Sequence, residues 1–319
     1  MKTKQLKRQI KFEIMGKLKL RQPTLKGLVL AILSLFIATS GNSQQKSSST
    51  KSLAAKDTLK AYASVNGIKL YYEIQGTGEP VIVLHGGFGN TDFYMPNVTG
   101  LAKNYKVITV DMQGHGRTAD IDRPLDREAM AEDIAALIKH LNLGKTNIIG
   151  YSFGGWVSLR LAIQHPELLQ KVVLISCPFK RNGWFPELRA QQAQLGAAVA
   201  DALKETPMYQ SYAKKAPKPE DWTRFVTKMS ITLQKDFDWS NEVRAIKLPV
   251  LLMFGDADEV MPDHALEFFK LLGGGLKGAD WDGAGRPVSQ LAILPDQSHY
   301  NIFMSPALSD IIIPFLNKK

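Results

Sequence analysis

One cysteine, Cys177, is all the chain contains. No intramolecular disulfide can form, so an exported form of this protein must be stable by core packing alone, and no cysteine is placed to carry a lipid anchor at a signal junction. Cys177 ends the apolar run Val172-Val173-Leu174-Ile175-Ser176, which points to a buried, inert thiol rather than a nucleophile. Long hydrophobic runs are missing too. Residues 28–38 form an apolar run of about eleven residues, where a comfortable bilayer span needs ~20. Clustered metal-ligand spacings and a phosphate-cradling glycine loop are also absent, so neither a metal nor an organic cofactor is implied.

Acidic residues are scarce at the start of the chain, where basic ones are dense. The formal charge of +10 would suggest a nucleic-acid partner. Residues 1–43, however, hold seven lysines and two arginines against the single Glu13, which leaves only +2 for the rest of the chain. The excess belongs to a segment laid out as an export signal: a basic lead, the apolar run, then Thr39-Ser40-Gly41-Asn42-Ser43. Small residues at Gly41 and Ser43 suit cleavage after Ser43, with Ser40 as the rival site and Met15 as an alternative start to the long lead. The expected mature protein is periplasmic or secreted, binds no nucleic acid and has no stable membrane span. Residues 44–59, rich in Ser, Lys and Thr, read as a disordered spacer before a domain over 60–319.

At 319 residues and 45 % hydrophobic, the chain can bury a large core. Two β-prone runs, 62–65 and 68–74, flank Asn66-Gly67, a strong hairpin signal. Short apolar strands then alternate with helical patterns, which argues a mostly parallel sheet covered on both faces. The alternation stops over about 178–248, where amphipathic stretches at 188–203 and 222–233 carry Trp184, Trp222 and Trp239. Inserted after the sixth strand, these helices are expected to form a cap over the strands' carboxyl ends, where open α/β sheets bind ligands.

The chain is organised around Gly150-Tyr151-Ser152-Phe153-Gly154. A β-prone run precedes it and a helical pattern follows, so the backbone must reverse within a few residues. Glycines two before and two after Ser152 give the clearance, and the hydroxyl is presented at the tip of the turn. A serine at its ordinary pKa is a poor nucleophile. It needs a histidine to take its proton and a carboxylate to hold that imidazole. Two later strand ends supply both: Gly255-Asp256-Ala257-Asp258 and Pro295-Asp296-Gln297-Ser298-His299. Either aspartate could instead cap the helix after Pro262.

These pieces resemble the α/β-hydrolase fold superfamily from about residue 61 to the C-terminus. The matching motifs are His85-Gly86-Gly87, Asp111-X-X-Gly114-X-Gly116-X-Thr118, Gly150-X-Ser152-X-Gly154, Gly255-X-X-Asp258 and His299. The resemblance implies Ser152 as nucleophile, Asp258 as acid and His299 as base, with Asp256 as the runner-up acid. It also implies an oxyanion hole from the backbone amides of Phe153 and Gly87, or of Phe88. Ser152 sets the chain apart from haloalkane dehalogenases and epoxide hydrolases of this fold, which use an aspartate. Phe88 stands where proline iminopeptidases carry proline. The expected activity is hydrolysis of carboxylic esters of small or medium hydrophobic compounds. Amide, lactone or carbon–carbon cleavage, acyl transfer and cofactor-free perhydrolysis on the same triad remain open, as does small-ligand binding without catalysis.

Overall fold

The computed structural model describes residues 58–318. The export segment expected at 1–43, and the spacer up to residue 57, lie outside the described residues. The expected domain boundary falls one residue late. Leu59 already opens strand β1 (Leu59–Val65) and pairs with Ile74 of β2 (Ile68–Gln75). Asn66 and Gly67 join these strands with φ of +49° and +79°, as a two-residue hairpin turn with two left-handed residues requires.

Six further strands complete one sheet: β3 (Pro80–Leu84), β4 (Lys106–Asp111), β5 (Thr146–Tyr151), β6 (Leu169–Ile175), β7 (Val250–Ala257) and β8 (Gln290–Ser298). Their order is β1-β2-β4-β3-β5-β6-β7-β8, with β2 alone antiparallel to the others. The chain steps from β3 to β4 on one side and returns through β5 on the other. The carboxyl ends of β3 and β5 therefore flank the crevice where such a sheet reverses its winding, the usual place for a ligand.

Apolar continuity explains the central strands. Every residue of β5, and Val81 to Leu84 of β3, is buried, because helices cover both faces. On one face α1 (Met95–Leu101) packs with α10 (Ala307–Asn317) over Val81, Val83, Ile149 and Val173. On the other, α2 (Arg127–His140) packs with α3 (Phe153–Gln164). Cys177 is fully buried, as its apolar run implies, and burial pushes its thiol pKa well up.

Between β6 and β7 lie five short helices: α4 (Pro186–Gln192), α5 (Ala197–Ala200), α6 (Pro207–Ala213), α7 (Trp222–Gln234) and α8 (Ser240–Ala245). The expected amphipathic stretch 188–203 is not one helix. The Leu195 carbonyl accepts from Ser230 Oγ (2.7 Å) and Gln234 Nε2 (3.4 Å) on α7, and the chain breaks there. Helix α9 (Pro262–Leu271) then leads into the glycine-rich connection 273–285, where Trp281 is fully exposed. Among the described residues no helix is long and apolar enough to cross a membrane.

Candidate active site

Ser152 is the single residue between the end of β5 and the start of α3, and it carries φ +51° and ψ −115°. A left-handed φ is costly for a residue with a Cβ, and it persists only where neighbours enforce it. Here the Ser152 amide donates to the Ile175 carbonyl of β6 (2.9 Å), and the Trp156 amide donates to the Ser152 carbonyl (3.1 Å). Both ends of the turn are thus pinned while the hydroxyl stays free to face the neighbouring loops.

His299 meets that hydroxyl. Its Nε2 lies 3.0 Å from Ser152 Oγ, and its Nδ1 lies 3.1 Å from Asp258 Oδ1. An ionised carboxylate only accepts, so Nδ1 carries the proton and Nε2 presents its lone pair to the serine hydroxyl. Three loops, after β5, β7 and β8, are brought together in this one line. His299 and Asp258 are each only 7 % exposed, so water competes little for the hydrogen bond.

Asp258 is held ionised by its surroundings. Burial alone would raise its pKa, but the bond and charge of His299, the Ser176 hydroxyl and the Gly255 amide (3.2 Å) hold it below the usual carboxylate value. Its Oδ1 also accepts from the Val260 amide at 3.1 Å. Asp256, the runner-up acid, points elsewhere: it is exposed and accepts from the Gln297 amide at 3.2 Å. Neither aspartate caps α9, whose N-cap is Met261 without a side-chain bond.

Gly87 and Phe88 are the central residues of a turn closed by the Gly89 amide on the Gly86 carbonyl (3.0 Å). Phe88 takes φ +60° at the third position, where glycine is preferred. A Cβ built on Gly87 would stand 3.6 Å from that of Phe153, so the two expected amide donors are neighbours. Phe153 opens α3, and the first amides of a helix have no partner within it. His85 braces the loop: Nδ1 donates to the Gly86 carbonyl (2.8 Å) and Nε2 accepts from the Met112 amide (3.2 Å).

Three contacts were not singled out from sequence. Ser176, with φ +50° just beyond β6, donates to Asp258 across 82 residues of chain. Tyr151 donates its hydroxyl to the His299 carbonyl, and the Trp184 ring stands edge-on to the His299 ring at 5.3 Å. A polar residue directly after an apolar strand was the only available signal for Ser176. Among the described residues no group of three or more His, Cys, Asp or Glu could hold a metal ion.

Comparison with known proteins gives a consistent result. A family described as having the alpha/beta hydrolase fold matches residues 79–216, which include Ser152 but stop short of Asp258 and His299. The putative carbamate hydrolase RutD of Serratia proteamaculans is 29 % identical over 161 residues, 48 % of this chain and 57 % of that protein. The chain thus spans little more than half the length of that curated relative, and about half or less of the next two. The AB hydrolase superfamily protein YisY of Bacillus subtilis is 29 % identical over 240 residues, 67 % of this chain and 85 % of that one. Among solved structures, the enol-lactonase of Burkholderia xenovorans superposes with a TM-score of 0.60 at 24 % identity, covering 81 % of this chain and 100 % of that one.

Proposed function

Because the chain belongs to the α/β-hydrolase fold superfamily, we propose that it is a serine hydrolase that cleaves carboxylic esters of small or medium hydrophobic compounds through an acyl-enzyme. The observation that carries this reading is His299 bonded at once to Ser152 and Asp258. His299 Nε2 takes the Ser152 proton as Oγ attacks the carbonyl carbon, and the carbonyl oxygen becomes an alkoxide. The amides of Phe153 and of Gly87 or Phe88 hold that oxyanion. His299, now an imidazolium stabilised by Asp258, returns the proton to the departing alcohol. Water repeats the sequence on the acyl-enzyme, releasing the carboxylic acid and restoring Ser152.

The ester assignment rests on the apolar surroundings of the triad, with Trp184 beside His299 and Met229 beside Gly87, both fully buried. An apolar environment of this kind suits a neutral, hydrophobic substrate. The relatives are named for a carbamate and an enol-lactone, so both bond types belong on the test panel. Ser152→Ala should lower kcat on the order of 10⁶-fold, measured on p-nitrophenyl esters beside an amide, a carbamate and a lactone. Near-wild-type hydrolysis by Ser152→Ala would remove the nucleophile from the proposal, and turnover of the carbamate alone would replace the ester. Export belongs to the same proposal, supported by the basic lead and apolar run of residues 1–43. N-terminal sequencing of protein recovered outside the cytoplasm should begin near residue 44, and recovery of the full chain only in the cytoplasm would refute it.

A further inference from the structure

Phe88 holds a backbone conformation that a bulky side chain rarely adopts, and it does so beside a proposed oxyanion donor. Strain of that kind survives only where the surroundings over-determine it. The surroundings here come largely from one helix outside the sheet. Phe225 of α7 meets the Phe88 ring edge-on at 5.3 Å and 76°, and Trp222 lies against the same ring at 6.0 Å. Phe225 also stands edge-on to the His115 ring at 4.8 Å, and His115 lies 5.9 Å from the Phe153 ring at 31°. Farther along the helix, Met229 Cε comes within 3.0 Å of the point where a Cβ on Gly87 would stand. Positions 222, 225 and 229 share one helical face, and all three side chains are fully buried.

That helix is fastened to the sheet domain rather than free. Lys228 Nζ donates to Asp120 Oδ2 (2.7 Å) and to the carbonyls of Ile121 (2.8 Å) and Arg123 (2.9 Å). Thr232 Oγ1 donates to the Leu125 carbonyl at 2.8 Å. A brace bolted at one side and pressed on the cradle at the other transmits position. We propose that α7 holds the oxyanion cradle in its catalytic geometry, with Phe225 as the positioning residue that fixes Phe88 on one side and, through His115, Phe153 on the other. This inference rests on the serine hydrolase reading. Oxyanion stabilisation is felt in the transition state more than in substrate binding, so loosening the brace should lower kcat and spare KM.

The test is steady-state kinetics on an ester substrate for Phe225→Ala and Phe225→Leu, with thermal melting to confirm folding. Removing an oxyanion donor outright costs ~10²–10³-fold in kcat, so displacing one should cost about 10-fold with KM changed less than about three-fold. The midpoint of the pH profile of kcat/KM should not move, because His299 and Asp258 are untouched. Labelling of Ser152 by a fluorophosphonate should slow in parallel with kcat. If Phe225 acts through Phe88, the Phe88→Ala/Phe225→Ala double variant should be no slower than the slower single variant. Phe225→Leu stays apolar but loses the ring that meets Phe88 and His115 edge-on, so it decides the matter if Phe225→Ala does not fold. A folded variant with kcat within about two-fold of wild type, or multiplicative losses in the double variant, overturns the inference. Ser152→Ala, run alongside, separates the two failures: an active Ser152→Ala defeats the serine hydrolase reading itself, whereas an inactive one beside an unimpaired Phe225→Leu defeats the brace alone.

Discussion

Asp256 and Asp258 stand two residues apart on one loop, and what separates them is water. Asp256 is exposed and bonded to a backbone amide, whereas Asp258 is buried and bonded to His299, Ser176 and two further amides. Asp258→Asn should leave the substrate bound but lower kcat by about 10⁴-fold, because the asparagine favours the wrong imidazole tautomer. Asp256→Asn should stay within a few-fold of wild type, and the reverse order in paired kinetics would transfer the acid role. Ser176→Ala strips a buried donor from Asp258 and should cost about 1–3 kcal/mol of stability, read by chemical denaturation; an unchanged midpoint would make the contact incidental. The order Ser, Asp, His could be read because each loop follows an apolar run, whereas the preference for Asp258 over Asp256 came only from the resemblance of Gly255-X-X-Asp258 to the family's motif. Ser176 was not, since its partner is set by which strands adjoin in the sheet.

At the scale of elements, the turn around Ser152 depends on space that only glycine leaves. A Cβ on Gly154 would lie 2.4 Å from the His85 carbonyl oxygen and 2.5 Å from that of Leu84, both backbone atoms at the end of β3. Neither can yield without moving the His85-Gly86-Gly87 loop. Gly154→Ala should therefore destabilise the fold by about 3 kcal/mol or more, as overpacking does where backbone must shift, and should lower kcat in whatever fraction folds. Full activity with an unchanged melting temperature would contradict this account of the turn. Gly144→Ala, where no atom lies within 4 Å, meets no such wall and tests only its φ of +69°. The glycine pattern and strands β3, β5 and β6 could be read from sequence, because burial on both faces writes a continuous apolar run. The helices between β6 and β7 could not be delimited. Their ends are set by captures such as Ser230 on the Leu195 carbonyl, which no local pattern encodes.

At the scale of the whole molecule, the buried histidines make stability depend on pH. His264, on α9, stacks on Phe179 at 4.2 Å, and its Nε2 accepts from the Phe179 amide at 3.2 Å. Protonation would set a second N–H against that amide. Burial lowers the His264 pKa from 6.5 to about 4, although Glu267 (3.6 Å from Nδ1) and Asp238 favour the charged form and Lys180 opposes it. His85 and His115, fully buried near the cradle, are shifted down by burial as well. The unfolded chain therefore binds protons that the folded chain refuses. Stability is full above the unfolded pKa near 6.5 and falls as pH drops from there toward 4. His264 alone should account for about 3 kcal/mol over that window. Asp258 works at lower pH: its depressed pKa gives stability that is present above the ordinary aspartate value and lost only as pH falls below it. Denaturant unfolding between pH 7.5 and 4.5 should thus show wild type weakening with acid, and His264→Gln should flatten the slope by up to one proton. The variant starts less stable at neutral pH, since the glutamine packs poorly on Phe179, so the slope rather than the midpoint is the deciding quantity. An identical slope in wild type and variant would show that His264 is already charged in the fold, or free to leave its pocket.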